Sequence, residues 1–369
     1  MVGGSALTIS PKTNLPTVTK QVKNDATGAD WSNVADSQVG QSLQYRLKGT
    51  VADAVPSYHT YYYKFTDTLS AGLTADSTSV AVTVDTNGTE YEVPATVTTT
   101  DDNHTNYTTT LTTNTDGTSV LGVEFSDLKT LKDASGAAVP VNATTNVYVT
   151  YSAALNSKAV VASGYNDNSV TLTYSNNPGT DSKGNSAPSS VRDYTFKLNL
   201  VKVDSSKQST KLSGAKFTIQ ATKPDEGDGT QYVQADGSLG ATAYVFETDS
   251  TGSIAVSGLD VGRYTVVETQ APSGYNKVDS FDFDIVATHG TDGTLTAPAA
   301  NSYNTNAADA SADDKTGLVT VTVKDKAGMS LPLTGQAGVT LTWIAGGLVL
   351  AVAVTHLVRS RKRSEGSAE

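Results

Sequence analysis

Tyr264-Thr265-Val266-Val267-Glu268-Thr269-Gln270-Ala271-Pro272-Ser273-Gly274-Tyr275 is the stretch on which the reading of this chain turns. Side chains along a strand alternate between two faces, so residues of one parity share a side. Tyr264 and Val266 point inward, and Glu268 is next in that series. The strand ends before Ala271-Pro272, where proline and glycine supply turn chemistry. An acid is thereby aimed into an apolar layer.

The same pattern recurs on either side. Phe196, Leu198 and Leu200 share a face, and Lys202 continues it. Val319, Val321 and Val323 share a face, and Asp325 continues it. Upstream, Val18 and Val22 flank Lys20; Tyr61, Tyr63 and Phe65 lead to Asp67; and Val170, Leu172 and Tyr174 share parity with Asn168. Any one of these reads as a strand-end residue reaching water or making a salt bridge. Two matching triples weaken that reading. Isolated buried charges are costly and escape by neutralisation, which lowers the pKa of a lysine and raises that of an acid. A neutral amine is a nucleophile, and a protonated acid polarises a nearby carbonyl. Held side by side, amine and Asn side chain can form an amide with loss of ammonia; with Asp the loss is water.

The fold class read from the chain is all-β. Thr, Val and Tyr are abundant, glycines mark turns, and no convincing soluble helix stands out. A first domain spans 17–193, with strands at 43–47, 61–65, 80–84, 120–125, 147–151 and 170–174, and a hairpin signal at Asn87-Gly88. The Thr-rich segment 96–115 reads as exposed strand and loop, and a polar linker runs from Asn176 to Arg192. A second domain spans 194–328, its short strands separated by frequent turns except for a long loop at 287–316. Both suggest immunoglobulin-like sandwiches. There are no cysteines among the 369 residues, so disulfides cannot hold either domain. A net charge of −11 argues against nucleic acid as a partner.

Over essentially its whole length the chain resembles the backbone (major) pilins of Gram-positive bacteria. Pro16 to Val22, Asp67 to Leu73 and Asn168 to Pro178 are similar to the motifs of a fimbrial isopeptide-forming domain. Lys202-Val203-Asp204, Leu212 to Phe217 and the Glu268 stretch are similar to those of a collagen-adhesin B-type domain. The resemblance implies intramolecular isopeptide bonds: Lys20 to Asn168 with Asp67 assisting, and Lys202 to Asp325 with Glu268 assisting. Domains of the second type mostly end in Asn where this chain has Asp325. Ser10-Pro11-Lys12-Thr13 resembles a degenerate pilin motif, which makes Lys12 the expected polymerisation lysine and 1–16 the end of a further N-terminal domain. Met1 to Gly4 has no basic or apolar leader character, so a longer exported precursor is expected.

The end of the chain, 329–369, resembles a sortase sorting signal. Leu331-Pro332-Leu333-Thr334-Gly335 precedes an uncharged run from Val339 to Val358, followed by Arg359, Arg361, Lys362 and Arg363. That run is long enough to cross a hydrocarbon core of about 30 Å as one transmembrane helix, and the basic end stays cytoplasmic. The resemblance implies cleavage between Thr334 and Gly335. It further implies partners in pilin-type and housekeeping sortases, in other pilin subunits joined head to tail, and in peptidoglycan through Thr334. The mature protein would be secreted and cell-wall anchored.

The expected function is a structural subunit of a covalent pilus that supports adhesion to a host or bacterial surface ligand. The alternative is a monomeric wall-anchored adhesin or minor pilin with the same folds. Enzymatic turnover, cofactors and a metal site are not expected. His59, His104, His289 and His356 form no pair at ligand or triad spacing, and Asp225 to Gly229 lacks a full Ca²⁺ loop pattern.

Overall fold

The computed structural model describes residues 14–24, 30–98, 103–162, 164–222, 231–296, 298–303, 305–313 and 316–328. Among them every regular element is a strand except two single 3₁₀ turns, Val55–Ser57 and Leu128–Thr130. None of their helices is long and apolar enough to cross a membrane. The run 339–358 expected to do so lies outside the described residues, as do Lys12, Leu331, Pro332, Thr334, Gly335 and Asp225 to Gly229.

The first half of the chain forms two large sheets and a small pair, Thr96–Thr98 with Asn103–Thr105. One carries, in spatial order, Trp31–Ser32, Val18–Lys23, Ser42–Thr50, Asn146–Leu155, Leu73–Thr86 and Thr89–Val93. The other carries Thr108–Thr113, Ser119–Phe125, Tyr63–Leu69, Asn166–Ser175, Ser189–Tyr194 and Val34–Asp36. Alternating burial along the long strands puts Leu43, Tyr45, Leu47, Val147, Val149 and Tyr151 from the first sheet in one core with Tyr63, Phe65, Val170 and Leu172 from the second. The sequence-predicted hairpin is present, with Asn87 and Gly88 both at positive φ.

The second half forms its own core. One sheet runs Ser253–Leu259, Phe196–Asp204, Leu318–Asp325, Ala308–Ala312. The facing sheet runs Leu239–Gly240, Gln231–Val233, Lys216–Thr222, Gly262–Gln270, Phe281–Val286, Ala299–Tyr303. The first and last long strands of this half are parallel neighbours, with Lys202 opposite Val323 and Asp204 opposite Asp325. The two halves touch: Val34 packs against the second core, Val39 N donates to Gly258 O at 3.0 Å, and His289 Nε2 lies 3.2 Å from Asp36 Oδ1.

Two segments read as loops prove to contain strands. The polar linker 176–192 holds Lys183–Asn185 and most of Ser189–Tyr194, which pair with Asn166–Ser175. The long loop 287–316 holds Ala299–Tyr303 and Ala308–Ala312. The reason is the same in both. These strands turn small or polar residues inward, among them Asp193, Ala300 and Ala308, so no apolar alternation marks them.

Candidate functional site

In the first half, the opening strand buries Val18, Lys20 and Val22 on one face. Lys20 lies beside the stacked rings of Tyr45 and Tyr151, whose centroids are 5.4 Å apart. Its Nζ lies 5.4 and 5.2 Å from those centroids. It forms an ion pair with Asp67 Oδ2 and donates to the Tyr151 hydroxyl at 3.0 Å. That hydroxyl donates to Asp67 Oδ2 at 2.6 Å and accepts from Asn168 Nδ2 at 2.8 Å. Lys20, Asp67 and Asn168 therefore converge on one phenol, and Asp67 and Asn168 are both fully buried. Asp67 and Asn168 come from adjacent strands of one sheet, Lys20 from the other. Asn168 Oδ1 and Asp67 Oδ1 have no hydrogen-bond partner among the described residues.

Burial pushes the Lys20 ammonium down to about 8, an effect larger than the opposing pull of Asp67. Burial, and then the charge of Asp67, push the Tyr151 hydroxyl well up. It stays a proton donor throughout the neutral range. The site thus holds a lysine that gives up its proton more readily than usual, an acid, and an amide carbonyl with free lone pairs.

In the second half, Lys202, Glu268 and Asp325 are at most 1% exposed. Lys202 Nζ contacts Asp325 Oδ1, lies 2.9 Å from Glu268 Oε1, and sits 5.2 Å from the Phe217 ring centroid. The other oxygen of Glu268 accepts from Val278 N–H at 2.7 Å, which fixes the carboxylate. Here Lys202 and Asp325 share one sheet, while Glu268 reaches in from the facing one. Asp325 is pushed up to about 6 by burial, with the nearby Lys202 opposing and Glu268 adding to the rise. One cation between two carboxylates leaves the cluster with an excess negative charge, so a protonated carboxyl is the low-cost state in this apolar setting.

All six residues singled out by strand parity are thus gathered into two clusters of three. Sequence reading missed Tyr151, Tyr45 and Phe217. Tyr151 shares parity with Val147 and Val149 and read as an ordinary core aromatic. Its one signal is general: a buried tyrosine hydroxyl needs a partner. Among the described residues no group of His, Asp or Glu could hold a metal ion.

Comparison with known proteins adds to this geometry. The family described as the SpaA prealbumin-like fold domain matches residues 196–301. No curated protein sequence matches the chain. A pilus backbone protein of group B streptococcus is similar over 85% of this chain and 99% of its own, at 22% identity and a TM-score of 0.53. The major pilin of Streptococcus agalactiae, as a 35 kDa C-terminal fragment, covers 73% and 91% at 19% identity, with a TM-score of 0.52. A backbone pilin of Streptococcus pyogenes covers 85% and 70% at 17% identity, with a TM-score of 0.54. At these identities the likeness is one of fold: the chain has the β-sandwich architecture seen in Gram-positive backbone pilins.

Proposed function

We propose that this chain is the structural subunit of a sortase-assembled, wall-anchored pilus, and that each half is closed by an internal isopeptide bond. One observation carries the reading: two separate cores each bury a lysine against an acid and a second carboxyl or amide, in a fold similar to backbone pilins. Ordinary core packing has no use for six such residues, whereas amide formation uses all of them.

The steps balance. In the first half Asp67 takes a proton from the Lys20 ammonium. The neutral Nζ attacks Cγ of Asn168, whose oxygen the protonated Asp67 polarises. The C–Nδ2 bond breaks and ammonia leaves. Asp67 is left neutral. Tyr151 acts as a positioning residue, because its hydroxyl touches all three groups. In the second half Glu268 takes the Lys202 proton, Nζ attacks the protonated carboxyl of Asp325, and water leaves. Glu268 ends neutral. Each reaction removes the buried charge that set it up.

The remaining roles rest on sequence resemblance. Sortase would cleave after Thr334 and join it to Lys12 of the next subunit, or to peptidoglycan at the fibre base, and the segment Gly335 to Glu369 would hold the precursor in the membrane until then. The intact mass of the chain tests the internal bonds. It should fall short of the sequence mass by one ammonia and one water, and a full mass would sink both. The polymer reading has its own test. Lys12→Ala with a pilin-type sortase should give no covalent ladder.

A further inference from the structure

The sheet that buries Lys20 on its inner face presents a different set of residues on its outer face. Trp31, Gln21, Arg46, Lys48 and Tyr148 lie side by side across four neighbouring strands, in register Gln21 opposite Arg46 and Lys48 opposite Tyr148. They line a cleft of about 790 Å³ that continues to Asn33, Ser190 and Thr291 at the junction between the two halves. Asn33 is held there by a 3.0 Å bond from its Nδ2 to Thr291 O.

The charge in this cleft is anomalous. The chain carries a net charge of −11, yet no lining residue is acidic. Arg46 lies 4.4 Å from the Trp31 ring centroid and 5.9 Å from that of Tyr148, and Lys48 lies 5.6 Å from the latter. Arg46 donates to Gln21 Oε1 at 2.6 Å, its Nε is buried without an acceptor, and neither cation has a carboxylate partner among the described residues. A cation between aromatic faces is held in place while keeping its charge. The cleft therefore offers two fixed cations, partly exposed aromatic surface, and a rim of amides and hydroxyls.

We infer that this cleft binds an anionic saccharide. A carboxylate or sulfate on the sugar would bridge Arg46 and Lys48, the apolar C–H face of a ring would lie against Trp31 or Tyr148, and ring hydroxyls would meet Asn33, Ser190 and Thr291. A fully charged peptide meets the cations but leaves the aromatic and hydroxyl surface unused. A neutral sugar leaves the cations unused. The site does not depend on polymerisation, although a fibre would repeat it once per subunit and gain avidity without new contacts.

Trp31 reports on the site directly, since the only other tryptophan is Trp343. The experiment uses the full chain with Trp343→Phe, in a polyoxyethylene detergent that carries no sugar. Fluorescence is titrated with oligogalacturonate, a sulfated dextran, an uncharged oligoglucose and oligoglutamate. Saturable change with one or both anionic saccharides, weakened about tenfold or more by Arg46→Gln and by Lys48→Gln, is the expected result. The carboxylated and sulfated arms tell which anion is preferred. A far-UV circular dichroism spectrum and thermal midpoint matching those of the Trp343→Phe chain check that each variant has folded. No change with either saccharide overturns the inference and leaves the cations as a cross-strand ladder. Equal response to oligoglutamate overturns it in favour of a simple anion site, and binding unaltered in both variants overturns the placement.

Discussion

The two halves of the molecule solve one problem with opposite geometry. In the first, the lysine stands on one sheet while its acid and amide stand on the other, so the proposed bond would tie layer to layer. In the second, the lysine and its partner carboxyl stand on adjacent parallel strands of one sheet, and only the assisting acid faces them. The chemistry differs to match. In the proposed reaction Asn168 would be an uncharged electrophile, oriented by one acid and a phenol. Asp325 is an electrophile only when protonated, and its pKa is pushed up to about 6 by burial. If both proposed bonds form, what the two sites share is a dry amine beside a neutral carbonyl. Which sheet supplies each group is free to vary.

The largest effect should come from removing one lysine. Lys202→Ala leaves Glu268 and Asp325 buried together without a cation, so the second half should lose about 5 kcal/mol or more, from broken pairing and lost closure of the loop. Lys20→Ala leaves Asp67 with its bond from Tyr151. The first half should lose less, about 4–5 kcal/mol for a loop of this length. Denaturant unfolding followed separately for each half checks the order, and equal losses would break the comparison. Next comes Tyr151→Phe. It should slow ammonia loss from newly synthesised chain by about a hundredfold while water loss proceeds unchanged, as read by time-resolved intact mass.

Opposite pH dependence is the third test. Lys20, lowered to about 8, gains neutral amine as pH rises through that value. Asp325, raised to about 6, gains neutral carboxyl as pH falls through that value. Ammonia loss should therefore quicken from pH 6 to 8 as water loss slows, each by about tenfold per unit at most. The linkage to stability has matching signs before the bonds form. Between pH 8 and 10.5 the unfolded lysine binds more protons than the folded one, so the uncross-linked first half gains stability with rising pH. Between about 6 and 3.8 the folded Asp325 binds more protons than the unfolded one, so the second half gains stability as pH falls through that window. The smallest effect belongs to Asp325→Asn. The amide product is the same molecule, so the final mass should equal that of the unsubstituted chain, with ammonia released in place of water and the acid-side rate dependence removed.

Strand parity made the two triples legible because a lysine or acid in series with Val, Phe and Leu has no other place to point. Tyr151 was not legible, because a tyrosine belongs in a core and its hydroxyl partners come from three other strands. Nor could parity reveal that Lys202 and Asp325 are strand neighbours while Lys20 and Asn168 face each other across a core. That depends on which strands pair, and pairing is set by tertiary packing. The edge strands Ala299–Tyr303 and Ala308–Ala312 escaped for a simpler reason. Short edge strands with alanine inside bury too little apolar area to mark a sequence.

The strand Ser189–Tyr194, which lies between the two cores' lysine clusters in the chain, has a mechanical consequence. With bonds at Lys20–Asn168 and Lys202–Asp325, tension along a fibre would bypass 21–167 and 203–324. It would still run through 169–201, which includes this strand and its parallel partner contacts with Val34–Asp36. That stretch would be the compliant element of each subunit, with a contour of about 110 Å at full extension, part of which its strands already span, and able to re-pair when the load drops. A rigid covalent shaft would thus contain a regularly spaced series of springs, each including six residues of which only Val191 and Tyr194 join an apolar core.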